Sequence, residues 1–331
     1  MPFITVQKRG SAGLIGLNRP KAMNALTLDM ITEIDAALDA FEADDSVDKV
    51  ILWSHTPGVF SAGGDMRRIR ELILAESFEE AETFFRTEYT LNLRIASYPK
   101  PYISLIDGIC MGGGMGLSMH GKFRIASERA IFAMPETAIG FVPDVGGSFF
   151  LPRMSHYSGY WMGLTGARLN GFDAHALGLS THMTISDSMA LVMDELCHSP
   201  ILGDTIRSAH FSSLTYQTSI LSLASFTMCF SRPSLSSIQT CLAASHHEES
   251  EKAQKALRSV SPHSLNNTLS LLQLGARSSL KVSLEREFGL AKQAIRHPDF
   301  AEGVRAVLID KDHKPNWQSP AIAAPKQGCF D

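Results

Sequence analysis

Residues 4–9 and 12–17 alternate apolar and polar side chains around Gly10-Ser11, which predicts a β-hairpin. The loop Asn18-Arg19-Pro20-Lys21 follows. Thr27 stands as an N-cap with Asp29 in the first turn, and Met30, Ile31, Ile34, Ala37, Leu38 and Phe41 recur at helical spacing. A helix to about residue 43 is expected. Residues 50–53 form a short apolar run, a buried strand, and a Gly-containing loop covers 57–64. Helical periodicity spans 78–97 until Pro99 and Pro101 stop it. Further strands are expected at 102–106, 123–126 and 130–133.

Strands thus alternate with helices to about residue 184, the pattern of an α/β domain. Beyond it, 187–200 reads as helix, and 203–245 is rich in Ser and Thr with no clear period. From 248 to 297 the helical period returns, broken at Ser261-Pro262. The expected organisation is a core over residues 1–200 and a mostly helical C-terminal region over 201–331.

Composition narrows the class. The 331 residues are 44% hydrophobic and 19% charged, with a net charge of −4. That balance is globular and gives no reason to expect a nucleic-acid or membrane partner. No apolar run reaches the ~18 residues of a spanning helix. Five cysteines, without metal-ligand spacing, read as free thiols in a reducing cytoplasm. The N-terminal residues lack the features of a targeting leader. A cytoplasmic protein is expected, or one of the mitochondrial matrix if a leader preceded residue 1. A small-molecule partner is expected, and a homo-oligomer is left open.

Two glycine clusters follow predicted strands: Ser61-Ala62-Gly63-Gly64-Asp65, and the run Gly112-Gly113-Gly114-Met115-Gly116. Glycine lets backbone approach a ligand, and one N–H from each loop would make an oxyanion hole. Taken singly, such clusters are more often turns. Neither a phosphate-binding loop with Lys nor a dinucleotide fingerprint is present. The apolar segment 133–147 carries Glu136 and Asp144, eight residues apart. A buried carboxylate is costly unless it is bonded, so the pair is either a catalytic acid and base or two loop-fastening acids.

Together these features resemble the crotonase (enoyl-CoA hydratase/isomerase) superfamily. Asn18-Arg19-Pro20-Lys21-Ala22-Met23-Asn24-Ala25-Leu26 resembles its opening loop, and the two glycine clusters resemble its oxyanion loops. The resemblance implies a core of stacked ββα turns. It also implies that Gly64 and Gly113 hold a thioester oxygen through their N–H groups. Backbone around Ala22, Ala62, Gly63 and Asp65 would meet coenzyme A, which is part of the substrate; no separate cofactor or metal is implied.

The acids narrow the branch. Hydratases of the superfamily use two glutamates; one matches Glu136, but Gly116 occupies the position of the other, and Asp144 replaces a usual glycine. That pairing resembles the branch that hydrolyses short β-hydroxyacyl-CoA thioesters such as 3-hydroxyisobutyryl-CoA. Residues 85–92, 261–265 and 300–312 resemble it as well. In that branch the acid matching Glu88 contacts substrate. The alternatives are a hydratase or isomerase with a single glutamate, and a non-catalytic CoA binder.

Other features are set aside. His246-His247 beside Glu248-Glu249 reads as solvated surface rather than metal ligands. Met111, Met115 and Met119 read as one helix face. Ser61 and Ser148 lack a nucleophile arrangement.

Overall fold

The computed structural model describes residues 2–199 and 220–318. Its contacts divide into two units, each drawn from three stretches of chain. The first comprises Met1–Gly64, Thr90–Phe132 and Arg168–Ile220; the second comprises Asp65–Tyr89, Ala133–Ala167 and Leu221–Asp331. The boundary expected at residue 200 lies outside the described residues.

In the first unit the hairpin forms as expected. β1 (Ile4–Arg9) pairs antiparallel with β2 (Ala12–Leu17). Parallel neighbours β3 (Lys49–Ser54), β5 (Tyr102–Ile106), β7 (Phe123–Ser127) and β10 (His182–Thr184) complete a six-stranded sheet ordered β1-β2-β3-β5-β7-β10. β2 and β5 are buried along their whole length, as parallel strands covered on both faces are. A four-stranded sheet is ordered β4 (Val59–Ser61), β6 (Ile109–Met111), β8 (Ile131–Ala133) and β9 (Leu169–Asn170). The pairs β3/β4, β5/β6 and β7/β8 therefore repeat one step, a strand in the large sheet followed by one in the small sheet. This is the stacked ββα pattern that the resemblance implies.

Helix α1 (Leu28–Ala43) buries all six residues of its apolar stripe, and the Thr27 side chain accepts from the Met30 N–H. Ala12, Leu14, Ile51, Ile103, Leu105 and Ile125 pack with Val192 and Leu196 of α8 (Met189–His198). Helix α4 (Gly113–Met119) is buried throughout, and the short α7 (Gly171–Ala176) follows β9. Met111 ends β6, so only Met115 and Met119 share the expected helix.

The second unit is mainly helical. It contains α2 (Met66–Leu74), α3 (Phe78–Ala96) as far as Tyr89, the short α5 (Gly147–Phe150), and α6 (Ser158–Thr165). Its later helices are α9 (Ile220–Thr227), α10 (Leu235–Ala244), α11 (Glu248–Ser259), α12 (Pro262–Gly275), α13 (Leu280–Ala294) and α14 (Pro298–Val304). The aromatic rings of Phe85, Phe141 and Phe300 pack in series at 5.3 and 5.5 Å.

Residues 220–244, where no period is visible in sequence, are largely helical. Helix α10 buries only Ile238 and Leu242, and serines supply its capping box. Few apolar positions and many Ser leave too weak a stripe to read.

The expectation of free thiols is corrected for one pair. Cys229, in the turn Met228–Ser231, is disulfide-bonded to Cys241 of α10, while Cys110 and Cys197 are free and buried. Chain reversal into α10, rather than a sequence spacing, brings the pair together. Cys329 lies outside the described residues. No described helix is long and apolar enough to cross a membrane.

Candidate active site

The opening loop and the first glycine loop are laced together within the first unit. Ala62 N–H donates to the Met23 carbonyl at 3.0 Å, and Leu26 N–H to the Gly63 carbonyl at 2.8 Å. Leu26 also bridges Gly64. Asn24, buried and in the left-handed region at φ 53°, donates to Ser54 Oγ and the Phe60 carbonyl. Ser61 Oγ donates to the Asn24 carbonyl and accepts from Gly63 N–H. Ser61 is thus a loop fastener rather than a nucleophile.

The second glycine loop meets the first. Gly63 has φ 104°, and a Cβ there would lie 3.3 Å from the Gly113 nitrogen and 3.2 Å from the Met111 carbonyl oxygen. Only glycine allows that conformation and approach at once. Gly113 is the first residue of α4, a position whose N–H has no acceptor inside its own helix. Ala22, Ala62, Gly63, Gly64 and Gly113 therefore fall in one neighbourhood made of backbone. Asp65 belongs to the second unit and caps α2, accepting from Arg68 N–H at 3.3 Å.

The expected acids gather within the second unit. Glu88, Glu136 and Asp144 are all buried. Glu136 opens the 3-10 turn Glu136–Ile139, and Asp144 follows Pro143 in the next loop. Burial pushes Glu136 and Glu88 well above the usual carboxylate range, and the Asp144 charge pushes both further. Burial also pushes Asp144 up to about 7, against the O–H bond that Tyr89 donates to its Oδ2 at 2.7 Å. Such a group loses its protons in steps that belong to the cluster. Near neutral pH it offers both a carboxylic acid and a carboxylate, the two partners a proton transfer needs. Glu88 Oε1 and Glu136 Oε2 are buried without a hydrogen-bond partner. An unpaired buried carboxylate oxygen is costly and marks a place for a donor.

The Asp144 loop is strained. Val145 sits at φ 51°, a region β-branched residues rarely enter, at a cost of about 1–3 kcal/mol. Tyr89 and Glu287 are the residues that sequence reasoning misses here. Tyr89 lies beside Glu88 in the stretch already singled out. Glu287 interrupts the buried stripe Leu284, Leu290, Ala291 and Ala294 of α13, a charged residue at a core position. That interruption is the readable signal.

His247 caps α11 and stacks on Phe226 at 5.1 Å. Among the described residues no group of three or more His, Cys, Asp or Glu is placed to hold a metal ion.

Fold and site define a class, and the comparisons agree with it. A family model described as enoyl-CoA hydratase/isomerase matches residues 12–329, and the chain belongs to that family. Among individual relatives, it is 41% identical to the mitochondrial 3-hydroxyisobutyryl-CoA hydrolase of Rattus norvegicus, over 95% of this chain and 84% of the relative. It is 40% identical to the Homo sapiens protein of the same name, with the same coverage. Among solved structures, an enoyl-CoA hydratase from Rhodobacter sphaeroides superimposes with a TM-score of 0.90 at 36% identity, over 98% of this chain and 95% of that one. A carnitinyl-CoA dehydratase from Mycobacterium thermoresistibile gives 0.92 at 33%, over 98% and 94%.

Proposed function

We propose that this chain hydrolyses a short β-hydroxyacyl-CoA thioester, 3-hydroxyisobutyryl-CoA in the first instance, to the free hydroxy acid and CoA. The observation that carries the reading is the buried cluster Glu88, Glu136 and Asp144, with Glu88 Oε1 and Glu136 Oε2 left unpaired. The names of the curated relatives support the same reaction.

In this reading the Gly64 and Gly113 N–H groups polarise the thioester carbonyl and hold the developing oxyanion. Ala22, Ala62, Gly63 and Asp65 meet the coenzyme A portion. Glu136 acts in one of two ways. As nucleophile it forms a mixed anhydride, the C–S bond breaks, and the CoA sulfur takes a proton from Asp144; water then splits the anhydride. As base it takes a proton from water that attacks the carbonyl directly, the C–S bond breaks as the tetrahedral intermediate collapses, and the CoA sulfur takes a proton from Asp144. Glu88 Oε1 binds the substrate hydroxyl. Neither route calls for a metal or redox group.

The test is thiol release from 3-hydroxyisobutyryl-CoA set beside hydration of crotonyl-CoA. Rapid thiol release with slow hydration is expected. Efficient hydration without thiol release would move the chain to the hydratase class. Single turnover in ¹⁸O-water separates the two roles, since only the nucleophile route leaves label in Glu136.

A further inference from the structure

Helix α13 presents one charged side chain to the interior of the second unit. Glu287 is fully buried, and three donors converge on its carboxylate. Gly146 N–H donates to Oε2 at 2.7 Å, Ser148 N–H to Oε1 at 2.9 Å, and Ser148 Oγ–H to Oε1 at 2.5 Å. All three come from the segment that runs from Asp144 into the first turn of α5, and Gly147 N–H closes that turn onto the Asp144 carbonyl at 2.6 Å. The strained Val145 lies between the two fastened ends. A carboxylate needs no such burial merely to stabilise a helix, and uncharged residues, apolar apart from Ser283, fill the rest of the stripe. What it supplies is a pair of acceptor oxygens matched to adjacent N–H groups that no apolar side chain could satisfy.

We infer that Glu287 is a positioning residue for Asp144, holding the 144–148 loop in its left-handed turn so that the Asp144 carboxylate faces the Tyr89 hydroxyl. The inference rests on the hydrolase reading for its kinetic consequence but not for its geometry. Hydrogen bonds to a charged group weaken the ionised form's cost of burial, yet burial still pushes Glu287 up to about 8, with the Asp144 charge adding to it. The same helix therefore adds a further titrating carboxyl beside Asp144 as well as a brace.

The test uses Glu287→Gln in the full chain. The amide keeps the volume but turns one acceptor into a donor facing an N–H. Exchange of the 144–150 amides should speed up in hydrogen-exchange mass spectrometry. The kcat for thiol release should fall roughly 10- to 100-fold with KM changed by no more than about twofold. A general loss of folding would instead lower Tm and leave the specific activity of the folded fraction intact. Should Glu287→Gln not fold, Ser148→Ala removes one donor and no charge, and a kcat loss of about threefold at constant KM is expected. Unchanged exchange in the loop overturns the brace. Faster exchange with unchanged kcat overturns its role in the reaction. Should the wild-type chain release no thiol, the hydrolase reading falls, while the exchange result still decides whether Glu287 holds the loop.

Discussion

The two halves of the proposed chemistry are built on opposite plans. In the first unit the functional atoms are backbone N–H groups, and the loops bearing them are fastened by neighbours a few dozen residues away, such as Asn24 to Phe60. In the second unit the functional atoms are carboxylates, and their supports lie far off in the chain, as Glu287 does from Gly146, 141 residues away. The difference follows from cost. A backbone donor is present at every residue, so conformation alone selects it, and glycine supplies the conformation. A buried carboxylate must be compensated by partners, and any element that packs nearby can provide them. A backbone site is therefore written locally, whereas an acid site is spread across the chain.

The largest expected effect breaks the acid half. Glu136→Gln keeps size and removes charge, so kcat should fall on the order of 10⁴-fold while the CoA ester still binds. Stopped-flow thiol release and isothermal titration with a non-hydrolysable CoA ether read the two quantities. Near-normal turnover would make Glu136 a loop fastener. Next comes the backbone half. Gly113 is the first residue of α4, where proline costs no helix hydrogen bond, so Gly113→Pro deletes the proposed donor, and its Tm reports whether the ring is accommodated in this buried loop. Loss of one oxyanion donor predicts about 10²- to 10³-fold lower kcat. Full activity in a folded variant with unchanged Tm would place the carbonyl elsewhere.

The same contrast explains what could be read in the sequence. The hairpin, α1 with its Thr27 cap, β5 and the glycine loops were legible because each depends on periodicity or a local backbone demand. The acids Glu136 and Asp144 stood out because they are charged in an apolar run. Tyr89 did not, because a hydroxyl inside a helical period looks like surface until its packing partners are known, and Glu287 showed only as a break in an apolar stripe. Helix α10 stayed hidden behind its serines, and the Cys229–Cys241 bond behind a separation of 12 residues without a motif.

Sharpening the acid half further, Tyr89→Phe removes only the hydroxyl that donates to Asp144 Oδ2. That donation favours the ionised carboxylate, so its loss should raise the apparent pKa of the Asp144 step and lower kcat by roughly tenfold. The limb of the pH–rate profile reporting Asp144 should move to higher pH. An unmoved limb would mean that the bond does not act on the titrating acid.

The smallest effect is thermodynamic, and it tests the two plans without any substrate. Burial raises Asp144 from an ordinary 3.8 to about 7, and Glu287 from 4.5 to about 8. A raised carboxyl means that the folded state binds a proton the unfolded chain has released. The stabilisation is thus fully present below the unfolded value, and it is lost as pH rises from about 4 to the folded values near 7 and 8. Each extra bound proton tilts stability by about 1.4 kcal/mol per pH unit, a few degrees in Tm for a chain of this size. Wild-type Tm should therefore decline between pH 5 and 8 by an amount that Asp144→Asn reduces, since the amide does not titrate and no longer pushes up Glu88, Glu136 and Glu287. Gly113→Pro adds no titrating group and should decline in parallel with wild type. Equal slopes for wild type and Asp144→Asn would mean that Asp144 is ionised throughout, and Asp144 could then not hold a proton in reserve at neutral pH.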